Sequence, residues 1–459
     1  MLIQFEVSNF LSFNKNETFS MVASKTRKHS DRIFNNKKFK LTKCEVILGA
    51  NASGKTNLIS AFKFMQEIII HGFPRGFSNK YFRLLPQNKY HPSNFTIQIL
   101  ENGKVFEYSF SAILATGSII SEHLHEILSS DARKSLYERN TEEEKFIVGS
   151  FFKQIDAISK LMNYGEDSAN DQEVLFLSLI NRNKGKMFTD FPELKILRDI
   201  FNWFILRLNI SFPESILTGY PYFTDTNIAE ISELLHALGT GISELKIVEV
   251  PAEVIKSKVP EELYNKIVSD LEKENARTSR NADNIPQITI RSYKEFYTFE
   301  ISPENNIRIT TIEFSHERQN IFFDLNEESD GTARLLDLIE ILFEISNDQI
   351  FVIDEIDRCL HPAMTVKLIE LFLEKAKARN TQLIITSHES RLLAADILRN
   401  DEICFVVKDE NGASVINPLE KYQLRADKKV YAALFDGTLD AGPNFDNNKL
   451  ASLTHTSNI

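Results

Sequence analysis

The sequence predicts an α/β fold: a mostly parallel core sheet carrying a phosphate loop, an antiparallel β layer against it, and a helical insertion between two lobes. Three observations predict it. Gly49-Ala50-Asn51-Ala52-Ser53-Gly54-Lys55-Thr56 is a complete phosphate-loop pattern between a strand-like run and a helical one. Ile350-Phe351-Val352-Ile353 is a second apolar run, and it ends in Asp354-Glu355, 299 residues after Lys55 (354 minus 55). Strands alternate with helices through the C-terminal half, as they do in a parallel sheet. The two halves of one nucleotide site therefore come from distant parts of the chain.

Each element has its own signal. Leu2 to Val7 alternates at period two, as a half-buried strand does. Cys44 to Leu48 is a compact apolar strand entering the glycine-rich loop, and Leu58 to Ile70 follows at helical spacing. Phe95 to Leu100 and Val105 to Phe110 flank Asn102-Gly103, a strong hairpin turn. From about 140 to 285 the pattern is helical, with Leu175 to Ile180 and Phe201 to Leu206 apolar enough to be buried. Asn227 to Leu238 ends at a glycine stop, Glu261 to Asn275 is a charged amphipathic helix, and Thr278 to Asn284 is a polar loop. Strands return at Gln287–Ile290 and Phe296–Ile301. A helix over Thr332 to Ser346, the strand Ile350–Ile353, a helix over Ala363 to Ala378 and the strand Gln382–Thr386 then follow. The expected organisation is an N-terminal lobe over 1–135, a helical insertion over 136–285 for assembly or a partner, a C-terminal lobe over 286–445, and a flexible tail over 446–459.

Composition narrows the class. A chain of 459 residues, 42% hydrophobic and 25% charged, fits a globular protein of two or three domains. The net charge of -11 argues against a surface coated everywhere with positive charge, while leaving room for a local basic patch. Cys44, Cys359 and Cys404 form no CxxC pair; Cys44 and Cys404 lie in strand-like runs that suit buried free thiols. A reducing, cytoplasmic setting is expected. The N-terminus lacks the features of a signal peptide, and no apolar stretch approaches the roughly 18 residues of a membrane span.

Four motifs carry chemistry. In the loop, backbone amides and the following helix N-terminus favour phosphate, Lys55 reaches the β- and γ-phosphates, and the Thr56 hydroxyl ligates Mg²⁺. Asn51, Ala52, Ser53, Gly54, Lys55, Thr56 and Asn57 are the candidate ATP contacts. Asp354 at a buried strand end suits the Mg²⁺ shell, and Glu355 suits a general base for the attacking water. His388, at the end of Leu383 to Thr386 and Ser387, is a candidate γ-phosphate contact, or an ordinary surface or core histidine. Ser329, Asp330 and Gly331 open a helix; they could bind an anion, or serve as an N-cap with no ligand.

Together these elements resemble the ATP-binding-cassette ATPases of the SMC and RecF-like group, and within it the RloA/AbiLi ATPases of bacterial anti-phage systems, related to the ATPase of the PARIS system. The resembling stretches are Phe5 to Phe13, Gly49 to Thr56, Glu328 to Leu335, Asp354 to Asp357 with Leu360-His361-Pro362, and Thr386 to His388. Val406 to Asp409 and the tail near Tyr431 also fit. The resemblance covers roughly 1–130 and 285–445; the insertion matches only loosely. It implies an ATP-binding-cassette head using ATP and Mg²⁺. Two heads would clamp two ATPs face to face, with Ser329-Asp330-Gly331 touching the γ-phosphate held by the other copy. Asp330 departs from the commoner glycine of transporter signatures. Asp357 falls where such proteins carry a dimer-contact loop. A glutamine usually completes the Mg²⁺ shell; Gln98, on a strand, is the candidate and Gln87, in a loop, the alternative.

Related nucleases carry a Toprim domain after the ATPase, whereas only 71 residues follow His388 here (459 minus 388). That is short for such a domain. The expected function is an ATP-hydrolysing sensor or scaffold of an anti-phage defence system. It would act as a homodimer or higher oligomer that controls a separate effector, a Toprim- or RloB-like nuclease. DNA or a phage protein would be the trigger. The competing expectation is a RecF-like DNA-repair ATPase. Lys25-Thr26-Arg27-Lys28 and Lys37-Lys38 could line its groove, or be a solvated basic loop. A transporter ATPase fits least, given the split head and no membrane segment.

Overall fold

A computed structural model describes residues 1–36, 39–213, 227–277, 287–292, 294–302, 306–316, 321–343, 348–422, 430–435, 439 and 442. The chain forms two compact units. The first comprises Met1–Pro213, Ser346–Asp357 and Val366–Ile459; the second comprises Glu214–Ile345 and Arg358–Thr365. The polar segment Thr278–Asn284, Lys37-Lys38 and the tail after Phe445 lie outside the described residues.

In chain order the first unit opens with β1 (Leu2–Ser8), β2 (Glu17–Ser20), the short hairpin β3 (Phe34–Asn36) and β4 (Phe39–Leu41), and β5 (Cys44–Leu48). Helix α1 (Lys55–His71) precedes β6 (Ser93–Glu101), β7 (Lys104–Ile113), β8 (Ser118–Ile127), β9 (Arg133–Asn140) and β10 (Lys145–Val148). Helices α2 (Ile155–Asp167), α3 (Phe176–Asn181), α4 (Gly185–Asp190) and α5 (Lys195–Leu206) lead to β11 (Leu208–Ser211). The second unit holds α6 (Ile228–Ala237), β12 (Ile242–Glu249), α7 (Ala252–Lys258), α8 (Glu261–Arg277), β13 (Gln287–Ser292), β14 (Glu295–Ile301), β15 (Ile307–His316), β16 (Phe322–Asp324) and α9 (Asp330–Phe343). The chain then continues through β17 (Ile350–Ile353), α10 (Pro362–Ala376), β18 (Gln382–Thr386), β19 (Ile403–Lys408), β20 (Ser414–Pro418) and α11 (Val430–Phe435).

Among the described residues the first unit has the expected α/β layers. Its core sheet runs β11-β17-β18-β5-β19-β20, parallel except for the terminal β19–β20 hairpin. The inner strands are buried on both faces, which is why they read as continuous apolar runs. The second sheet, β10-β9-β8-β7-β6-β1-β2, is antiparallel throughout. Its β6–β7 turn uses Asn102 (φ 50°) and Gly103 (φ 74°), the left-handed pair that matches strand twist.

Helix α1 lies in the core shared by the two sheets. Phe62 stacks on Phe5 at 4.0 Å, and Phe64 meets both Phe10 and Phe95 at 5.1 Å. Burying aromatic rings of this size contributes more than any single polar contact here. The apolar face of α5, Leu197, Ile200, Trp203 and Phe204, is fully buried in the same core. Gln66 of α1 seals the end of α5 by donating to the carbonyls of Phe204 (2.8 Å) and Leu208 (2.7 Å). Residues 155–206 therefore pack as part of the first unit, so the boundary lies at Pro213 where the sequence pattern placed it at 136. Buried Glu122 pins α3 to the antiparallel layer. It accepts from Tyr108 and Tyr137 and from the N–H groups of Phe176 and Leu177, facing Arg139 at 3.4 Å.

The second unit is mixed: the strands expected at Gln287–Ile290 and Phe296–Ile301 form, while β12 lies within the stretch expected to be helical. Strands β12, β15, β14 and β13 form one antiparallel sheet, with β16 added on β15. Its core packs Ile255, Tyr264, Ile267 and Leu271 of α7 and α8 against Tyr297, Phe299 and Ile309. The strand Ile242–Glu249 escapes notice because only Ile242 and Leu245 are buried along it.

Candidate nucleotide site

The site is assembled by the carboxyl ends of three adjacent parallel strands, where α/β sheets characteristically bind ligands. Register places Thr386 of β18 opposite Ile47 of β5, and Ile385 opposite Ile353 of β17. The loop after β5 and the acids after β17 thus flank the end of β18. This is the meeting of distant segments expected from the sequence.

The loop is held tightly. Gly49 (φ 152°) and Gly54 (φ 114°) occupy left-handed backbone. A Cβ at Gly49 would collide with the Val406 carbonyl, and one at Gly54 with the hydroxyl of Ser414. Only glycine fits there. Ser414 donates to the Ser53 carbonyl (2.5 Å) and lies 2.7 Å from the Ser12 hydroxyl, which also accepts from the Asn57 amide (2.7 Å). Ser12 and Ser414 brace the loop from segments 402 residues apart. Lys55 donates to its own loop's carbonyls, Gly49 at 2.9 Å and Ala50 at 3.1 Å. Burial pulls its ammonium below its usual pKa, and the carboxylates of Asp354, Glu355 and Asp357 oppose that shift. Asn51, Ala52 and Thr56 are exposed, and Ser53 and Gly54 are buried. Thr56 stands in the first turn of α1, whose leading amides have no helical partners.

The acids are fixed by a residue the sequence reading did not single out. Thr386, fully buried, donates its hydroxyl to Asp354 Oδ1 (2.5 Å) and accepts the Glu355 N–H (2.7 Å). Asp354 is buried, and its N–H donates to the Ser211 carbonyl at 2.9 Å. Glu355 is half-buried with φ 47°, a conformation non-glycine residues adopt at a cost of about 1–3 kcal/mol. His388 is exposed, and its N–H donates to Asp357, 3.2 Å from Oδ2. Lys55, Asp354, Glu355, Asp357 and His388 therefore belong to one neighbourhood of the first unit.

Three further candidates lie on other elements. Gln98 lies in β6 and donates to Glu107 (2.8 Å), whose other oxygen pairs with Arg133 at 2.9 Å. No hydrogen bond of its amide reaches a phosphate-loop residue among the described residues. Gln87 is exposed in the turn Pro86–Tyr90; the neighbouring Asn88 is tied to Asn9 and Asn14. Ser329, Asp330 and Gly331 belong to the second unit. There Ser329 Oγ accepts the Thr332 N–H (3.0 Å), the bond of an N-cap, and Asp330 pairs with Lys294 at 2.9 Å. A Cβ on Gly331 would lie 2.8 Å from the Cys359 carbonyl.

The arrangement offers amides and a cation for phosphate and hard oxygens for a cation. The Thr56 hydroxyl and the Asp354 carboxylate are the donor types that Mg²⁺ takes alongside phosphate and water. Among the described residues no group of three or more His, Cys, Asp or Glu side chains could hold a metal on its own, and no helix is long and apolar enough to cross a membrane.

No curated protein matches the chain. Among solved structures it is similar to an SMC head bound to the C-terminal winged-helix domain of ScpA. That match has 13% identity and a TM-score of 0.40, covering 90% of this chain and 96% of the other. It is similar also to the SMC head domain from Thermotoga maritima, with 15% identity, a TM-score of 0.35 and coverage of 91% and 98%. A third is the Pyrococcus furiosus SMC head with an extended coiled coil, bound to the C-terminal domain of ScpA. It has 13% identity, a TM-score of 0.40 and coverage of 92% and 97%. A family model matches residues 46–394, which contain the phosphate loop, the acidic pair and His388. The chain thus belongs to the ATPase-domain family described as "AAA domain, putative AbiEii toxin, Type IV TA system".

Proposed function

We propose that the chain binds and hydrolyses ATP with Mg²⁺, and that the nucleotide state controls a separate effector protein in an anti-phage response. One observation carries the nucleotide reading: Lys55 is buried beside the carboxylates of Asp354, Glu355 and Asp357, at one end of the parallel sheet. A buried cation with acids arrayed opposite suits a triphosphate and its divalent ion. Thr56 and Asp354 would hold Mg²⁺, which when bound would supply charge neutralisation at the phosphate oxygens. Lys55 exchanges its two carbonyl acceptors for the β- and γ-phosphates. The loop amides bind phosphate oxygens along the α1 dipole. Glu355, its backbone fixed by Thr386, accepts a proton from the attacking water. His388 would donate to the γ-phosphate.

Pairing of heads is the finer part of the proposal. Ser329, Asp330 and Gly331 of one copy would complete the site of another, with Asp357 at the contact. The effector would be a nuclease, released or activated on assembly; the family description names a toxin system, which fits a role in growth arrest or defence.

Two variants test it. Lys55→Ala should abolish ATP turnover, and retained turnover would remove the site assignment. Glu355→Gln should keep ATP bound, slow hydrolysis about 100-fold or more, and accumulate paired heads in native mass measurements. Normal hydrolysis by that variant would exclude Glu355 as the base.

A further inference from the structure

The second unit holds a concavity that none of the motifs above uses. It encloses about 240 Å³ where the end of β12 and the start of α7 face β14, β15 and β16. Val248, Val250, Pro251, Val254 and Leu325 give it apolar walls. Four carboxylates also line it, Glu249, Glu295, Glu313 and Asp324, against two ammonium groups, Lys258 and Lys294.

Both lysines are already paired. Lys258 donates to the Tyr297 hydroxyl at 2.7 Å and pairs with Glu295 at 3.4 Å. Lys294 donates to the Glu328 carbonyl at 2.7 Å and pairs with Asp330, at the start of α9, at 2.9 Å. Glu249 has a long pair with Arg308 at 3.8 Å. Glu313 and Asp324 have no ion pair among the described residues. These two are direct cross-strand partners on β15 and β16. Like charges in that position repel. Lys246 of β12, the other strand neighbour of Glu313, does not relieve them, because its ammonium lies over the Phe322 ring, 5.4 Å from the centroid. Two facing carboxylates without a cation thus stand beside apolar walls in one small cavity.

We propose that this pocket receives an arginine side chain presented by a partner protein. A guanidinium is planar and forks its N–H groups, so a single one bridges Glu313 and Asp324 while its methylene stem lies along the valine and proline walls. An ammonium is a point charge and lacks that bridging fork. The cavity is smaller than the roughly 300–1,000 Å³ of sites for whole drug-sized molecules, and it suits one long side chain. Arginines seated in such pockets are frequent anchors of protein interfaces. Lys294 also joins the pocket to Asp330, so the charge of an occupant is felt at the start of α9. This inference goes beyond the nucleotide site and does not rest on it. It would stand if Lys55→Ala left turnover intact.

The test is a ligand-observed NMR titration of the peptide acetyl-Gly-Arg-Gly-amide with the full chain, beside the same peptide carrying citrulline, which keeps the shape and loses the charge. One anchored side chain should give a dissociation constant of about 1 mM, and the citrulline peptide should bind at least about 10-fold more weakly. The double variant Glu313→Gln, Asp324→Asn should lose about 10-fold or more of the affinity for the arginine peptide. It should melt no lower than the parent, because the exchange removes a like-charge pair and Asn keeps an acceptor for the capping box of Asp324 and Glu327. Its ATP binding should be unchanged. Equal affinity for the two peptides would overturn the proposal, as would a double variant that binds like the parent, or no binding of the arginine peptide at about 20 mM. Agmatine, a guanidinium on a free stem, forms a second arm: agmatine held at least about 10-fold more tightly than the peptide would assign the pocket to a small organic cation instead. A parent that self-associates and a double variant that does not would assign it to a second copy of this chain.

Discussion

Replacing Thr386 with Val tests whether the acidic pair is held by one hydroxyl. The substitution keeps the β-branched shape in a fully buried position and removes two bonds, one to Asp354 at 2.5 Å and one from the Glu355 N–H at 2.7 Å. A neutral buried bond contributes about 1 kcal/mol and one to a charged group about 1.5–3 kcal/mol, so the loss is about 3 kcal/mol. If that energy positions the acids, it appears in hydrolysis as about two powers of ten in rate. It also appears as a fall of roughly 5 °C or more in the melting of the first unit. The assay is steady-state phosphate release with a parallel thermal melt, and Thr386→Ser is the control, because it restores the hydroxyl without the methyl. The Ser variant should recover most of the rate. A Val variant with parental rate and parental melting would refute the positioning role. A Val variant that melts lower but hydrolyses normally would make the hydroxyl structural only.

Gly54→Ala places a methyl against Ser414 and Ser12 at φ 114°; it should abolish nucleotide binding by equilibrium dialysis and lower the melting temperature. Glu45 is buried in β5 with Oε2 unpartnered among the described residues, and burial, then the nearby Glu402 and Asp401, push its carboxyl well above the usual 4.5. The folded chain therefore keeps this proton where the unfolded chain has released it. The contribution of this one carboxyl to stability is full below about pH 4.5 and is lost as pH rises toward the folded value. Glu45→Gln should remove that loss, raising the melting temperature more at pH 8 than at pH 5. Equal shifts at both would count against a buried neutral carboxyl.

The parts legible in sequence are those whose physics is local. The run Cys44 to Leu48, the glycines at 49 and 54, and the helix that follows are one continuous signal, and the structure reproduces them. The turn at Asn102-Gly103 is equally local, because two left-handed residues specify it. What escaped depends on contact between remote segments. Threonine at a strand end is an ordinary β-former, so the hold of Thr386 on the acids is hidden until β17 lies beside β18. Ser12 and Ser414 are unremarkable polar loop residues until they meet under Gly54. The apolar face of α5 announces burial but not its partner, and so residues 155–206 were expected in an insertion although they pack on α1. Strand position favours Gln98 over Gln87 in the sequence, but pairing of β6 with β7 gives its amide a different acceptor, Glu107.

Connectivity gives the acidic pair a consequence beyond its chemistry. The chain leaves the first unit after Pro213, two residues past Ser211, whose carbonyl accepts the Asp354 N–H. It enters the second unit again at Arg358, directly after Asp357, whose carboxylate accepts the His388 N–H. Two of the four covalent crossings thus adjoin residues that bond to the candidate catalytic strand ends. Any ligand of the second unit that prefers one arrangement of these crossings must, by linkage, change nucleotide affinity, and nucleotide must change that ligand's affinity by the same factor. An effector held through the second unit would accordingly be released by nucleotide in proportion to the nucleotide affinity it removes. Equal effector affinity with and without ATP would leave the two units energetically independent, however close in sequence their junctions lie to Asp354.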